Sequence, residues 1–110
     1  MVEKVFITGY GAISPLGLDS SETWLGLTDG KSGIDYINSF DATLFETTFA
    51  AEVKNFDPES YVSRKESRRM DRFVQLATAA ALEALESSGL VINKTTAEHT
   101  SVMIASGIGG

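Results

Sequence analysis

Arg72-Phe73-Val74-Gln75-Leu76-Ala77-Thr78-Ala79-Ala80-Ala81-Leu82-Glu83-Ala84-Leu85-Glu86-Ser87-Ser88 is the longest helical signal in the chain. Phe73, Leu76, Ala77, Ala80, Ala84 and Leu85 recur at steps of three and four residues, the spacing of one helix face. Ala79, Ala81 and Leu82 widen that face and leave a narrow polar side at Gln75, Thr78, Glu83 and Glu86. The pattern predicts a mostly buried helix whose alanines let neighbouring backbones approach closely. Gly89 is its stop signal.

Apolar runs lie on either side of this helix. Val5-Phe6-Ile7 ends at Thr8-Gly9, and residues 101–105 run into Ser106-Gly107-Ile108-Gly109-Gly110. Their hydrophobicity is continuous rather than alternating, so both read as strands covered on two faces. After the first run, Gly9, Gly11, Pro15 and Gly17 punctuate a loop. Asp19-Ser20-Ser21-Glu22 then caps a short helix that reaches about Asp29 and stops at Gly30. Residues 31–57 are less regular and read as an extended loop with one strand near residues 49–53. Asp57-Pro58-Glu59 opens a helical turn, with proline where its missing N–H costs nothing. Residues 63–71 are polar and strongly helix-forming. Strand, helix, helix, strand in this order predicts an α/β fold with parallel pairing. A helix is expected to return from the second strand, so the fold reads as incomplete.

The 110 residues are 43% hydrophobic and 22% charged, the balance of a globular protein with a modest core. A net charge of −6 argues against general affinity for nucleic acid or anionic membrane. There is no cysteine, so disulfides and thiolate metal sites are excluded, and a cytoplasmic location is compatible. No apolar stretch is long enough for a membrane helix, and the first apolar run is too short for a signal peptide.

Three constellations invite a chemical reading. Gly9-Tyr10-Gly11-Ala12-Ile13-Ser14 follows a strand, but Ser14 stands where a dinucleotide fingerprint wants Gly or Ala. Pro15 and Gly17 also prolong the loop, which favours a tight turn over a phosphate cradle. The second is Arg64-Lys65-Glu66-Ser67-Arg68-Arg69-Met70-Asp71-Arg72. On a helix Arg64, Lys65, Arg68, Arg69 and Arg72 fall on adjoining stripes of an otherwise acidic protein. Pattern alone fits a solvated helix face or a site for an acidic protein partner. Nucleic acid is disfavoured, since no aromatics sit among the charges to stack on bases. The third is His99, a lone histidine in a polar link, which reads as a surface residue. With one histidine, no cysteine and scattered carboxylates, neither a metal cluster nor a reaction centre is visible.

Taken in order, residues 5–17, Thr23-Trp24, residues 30–34, Phe40-Asp41, residues 64–73 and residues 106–110 resemble the N-terminal part of the elongating type II β-ketoacyl-acyl-carrier-protein synthases. The resemblance implies a thiolase-like layered α/β/α/β/α fold, of which residues 1–110 are part of the N-terminal half, with the helix 72–88 among the inner ones. It also implies a cytoplasmic homodimer and decarboxylative condensation of malonyl-carrier with an acyl-enzyme. The family's nucleophilic cysteine, its two histidines and a supporting lysine lie beyond residue 110, so no catalytic residue is carried over and the segment alone is expected to be inactive. No cofactor or metal is expected. Lys65, Arg68 and Arg69 match positions that dock acyl carrier protein, and Ile108 matches a residue at the acyl-pocket entrance. Ordinary core packing at Ile108 remains open, as does a non-catalytic carrier-binding module.

Overall fold

The structure, a computed structural model, describes all 110 residues. Two compact units are present, one of residues 12–57 and one of residues 1–11 with 58–110.

The first unit begins with a tight turn in which Ser14 and Gly17 exchange backbone hydrogen bonds of 2.9 and 3.2 Å. Helix α1, Ser20–Thr28, follows. Its cap is reciprocal: the Asp19 carboxylate accepts from Glu22 N at 2.7 Å, and Glu22 accepts from Leu18 N at 2.8 Å. The helix therefore starts beyond the Ser14–Gly17 turn, and its N-terminus does not follow the glycine pair directly. Strands β1, Ile34–Tyr36, and β2, Phe49–Ala51, pair antiparallel with Asp35 opposite Ala50. Strand β2 starts where the sequence places it and is two residues shorter. Strand β1 is an addition, because three residues are too few to show alternation. The Glu52 carboxylate ties down the connecting loop by accepting from Asn38 N at 2.9 Å and Ser39 N at 3.2 Å.

The second unit is built on α3. A 3-10 turn, Pro58–Ser60, leads to α2, Arg64–Ser67, then to α3, Arg72–Ser88, and to the single turn α4, Lys94–Ala97. The bounds of α3 are those its periodicity predicts. Gly89 closes it in the left-handed region at φ 66°, and a Cβ there would meet nothing within 4 Å. Gly89→Ala therefore costs only backbone strain. A loss of about 1 kcal/mol in urea unfolding is expected, and a loss above about 2 kcal/mol would show that the cap does more.

Close approach, not side-chain interdigitation, holds the N-terminal segment to α3. Gly9 and Gly11 lie against the backbone of Ala80, Ala84 and Ser88, as the small residues of that face allow. Between them the Tyr10 peptide is clamped: its N–H donates to Ser87 Oγ at 3.1 Å, and its carbonyl accepts from the same hydroxyl at 3.1 Å.

Three expectations are corrected. Residues 5–7 and 101–105 are not strands; both lie outside any ladder, and Ile7 is 88% and Met103 92% exposed. An extended segment becomes a strand only when a neighbour takes its N–H and C=O groups, and neither segment has one. Pairing is antiparallel, in the β1–β2 hairpin, rather than parallel. Helix α3 is also less buried than its pattern predicts: Ala79 is fully buried, but Phe73 is 38% and Leu85 37% exposed. Its apolar stripe is wider than the chain packed against it.

Candidate functional site

The basic run folds as one helical turn and a bend, not as a continuous helix. Glu66 lies three residues after Ser63, and the two form a capping box: Ser63 Oγ accepts from Glu66 N at 3.3 Å, and Glu66 accepts from Ser63 N at 3.1 Å. The helix ends after Ser67, and Arg68 to Met70 turn the chain into Asp71, whose extended backbone starts α3. The stripes expected from a single helix are thus replaced by a compact corner. Lys65 stands on α2, and Arg68 and Arg69 stand on the bend.

The corner leaves its positive charge available. Arg64 is paired with Glu59 at 3.6 Å. Glu66 is turned back on Ser63, whose hydroxyl first and backbone N–H second hold its carboxyl below the usual glutamate range. Lys65, Arg68 and Arg69 are exposed, and no carboxylate pairs with any of them. Three unpaired cations on an acidic chain can attract an anionic partner by steering and by charge-assisted contacts.

The other end of the second unit comes back to the same place. A Cβ at Gly110 would lie 3.0 Å from the Phe73 ring and 3.1 Å from Asp71 Cβ. The glycine turn that carries Ile108 therefore rests on the N-terminus of α3, beside the basic corner. Ile108 itself is 102% exposed, with no wall around it.

Three carboxylates of the first unit do structural work. The Lys54 ammonium, bonded at 2.6 Å, lowers the Asp35 carboxyl across the hairpin. Thr43 lowers Asp41, and Ser39 with Asn38 lowers Glu52. His99 is exposed in the turn after α4, where its backbone N–H donates to Thr96 O at 3.1 Å. No group of three or more His, Asp or Glu side chains converges. An apolar groove of about 540 Å³ runs along α3 at Ala81, Leu82 and Leu85, flanked by Gly9 and by Val102 and Ile104.

One residue escaped the sequence reading. Gln75, read as part of the polar side of α3, turns its amide into the corner and donates to Ser67 O at 2.9 Å and Met70 O at 3.3 Å. The only polar side chain between Arg72 and Thr78, a glutamine among apolar neighbours, was the available signal.

Residues 2–110 match the family described as Beta-ketoacyl synthase, N-terminal domain. Among curated proteins, the 3-oxoacyl-(acyl-carrier-protein) synthase 2 of Vibrio cholerae serotype O1 is 48% identical over 107 residues, covering 97% of this chain and 26% of its own. The proteins of the same description from Coxiella burnetii and Staphylococcus aureus (strain COL) are 50% and 46% identical, covering 97% and 98% of this chain and 26% of theirs. The chain thus spans about a quarter of the length of these relatives. A solved structure described as the ishigamide ketosynthase/chain length factor superposes with a TM-score of 0.71 at 36% identity, over 77% of this chain and 21% of that one.

Proposed function

This chain belongs to the β-ketoacyl synthase family, as its N-terminal domain, and from that premise we propose that it is the opening segment of an enzyme that elongates fatty acyl chains on acyl carrier protein. In this reading residues 1–110 are an incomplete part of the first half of a thiolase-like layered fold. The complete enzyme acts as a cytoplasmic homodimer. Malonyl-carrier loses carbon dioxide, and the resulting carbanion attacks an acyl thioester on a downstream cysteine. The thiolate is released, and the lengthened 3-oxoacyl chain stays on the carrier.

Lys65, Arg68 and Arg69 dock the carrier, and Ile108 borders the entrance of the acyl pocket. The observation that supports the docking role is the corner itself, where these three cations are exposed and unpaired while Arg64 and Glu66 are occupied elsewhere. For Ile108 the support is the seat of its glycine turn on Phe73, beside that corner. No helix is long and apolar enough to cross a membrane, in keeping with a carrier-fed enzyme.

A carrier-binding module without catalysis is the competing reading. Against it stand Val5, Phe6, Ile7, Val102, Met103 and Ile104, six exposed apolar side chains that an independent module would cover. The 110-residue polypeptide is expected to form no 3-oxoacyl product from acyl- and malonyl-carrier substrates, by mass spectrometry of the carrier. Turnover by this polypeptide would overturn the assignment of the nucleophile to a downstream segment.

A further inference from the structure

The basic corner is a poor candidate for order by its own means. Helix α2 is one turn, Arg64–Ser67, far below the length at which an isolated helix persists. Its capping box secures the N-terminal end only. At the other end the carbonyls of the last turn need donors from outside the helix. Backbone donors of the bend supply them: Arg68 N reaches Arg64 O at 3.3 Å, Arg69 N reaches Glu66 O at 2.9 Å and Met70 N reaches Ser67 O at 3.2 Å, and Gln75 adds the only side-chain donor from α3, a second one to Ser67 O. The same amide nitrogen also reaches Met70 O, so a single side chain on α3 spans the bend that carries Arg68 and Arg69. Ser67 is 6% exposed, so the carbonyl that accepts from Gln75 is partly shielded from competing water.

We infer that Gln75 is a positioning residue for carrier docking: its amide locks the Ser67–Met70 bend so that Arg68 and Arg69 are presented in a fixed array. This rests on the docking role proposed above. Gln75 touches no partner. It lowers the ordering cost of binding by holding the bend before the carrier arrives.

The test uses the full-length synthase that contains this segment. Gln75→Met is close in length and neutral but has no donor. Gln75→Asn keeps the amide and is one methylene too short to span both carbonyls. Each is expected to raise KM for carrier-delivered substrate about three- to tenfold, the scale of lost preorganisation without lost contacts. kcat, and KM for a carrier-free thioester substrate, stay unchanged. In an Arg68→Ala/Arg69→Ala background, Gln75→Met adds less than about twofold, because the residues it positions are gone. An unchanged carrier KM, an equal rise for both substrates, or a full effect in the double-variant background overturns the inference. If Arg68→Ala/Arg69→Ala itself leaves carrier KM unchanged, the docking role falls and this inference with it. If that pair raises KM while neither Gln75 variant does, the inference alone falls.

Discussion

Reversing Lys65, Arg68 and Arg69 together to glutamate is expected to weaken docking of acyl carrier protein by the full-length synthase about 30-fold or more, read as Kd or as KM for carrier-delivered substrate. Each exposed contact contributes little alone. The triple change removes three attractions and adds three repulsions on one corner, and the contributions act in concert. The ratio to wild type narrows as salt rises, since screening weakens the attraction in one protein and the repulsion in the other. Arg64→Glu is expected to do less, because Arg64 is committed to Glu59. A triple variant that binds carrier as wild type does, at low ionic strength, removes the docking assignment.

Gly11→Ala is expected to be the most damaging single substitution for folding, at about 3 kcal/mol or more in urea unfolding. A methyl at Gly11 would fall on the carbonyl oxygen of Ala80 and lie 2.9 Å from Ala84 N. These are helix backbone atoms, which cannot swing aside as a side-chain tip can. The segment must lift off α3, and the two hydrogen bonds between Tyr10 and Ser87 go with it. The contrast with Gly89 isolates the mechanism, for there the added methyl meets open space. A Gly11→Ala protein within about 1 kcal/mol of wild type would show that the N-terminal segment is not held by close packing.

Much of the local structure was legible because its causes are local. Helix α3 ends where its apolar period meets Gly89, and α1 begins where the Asp19 carboxylate caps Glu22 N. The family was legible too, because several short motifs occur in the right order. The strand readings at residues 5–7 and 101–105 failed for the opposite reason. Val5-Phe6-Ile7 has the composition of a strand, but strand formation depends on a second chain segment, which composition cannot supply.

The candidate site divides in the same way. The sequence by itself determined that five of the chain's nine basic residues, Arg64, Lys65, Arg68, Arg69 and Arg72, would cluster, since they are neighbours along the chain. Only the tertiary structure decided which of them are unpaired, that a bend rather than a helix presents Arg68 and Arg69, that Gln75 holds that bend, and that the glycine turn of Ile108 rests beside it on Phe73. The physical reason is range. Charge density and helical period are properties of adjacent residues, whereas a hydrogen bond across the Ser67–Gln75 gap, or a backbone seated on Phe73 from residue 110, exists only once the chain has folded back on itself.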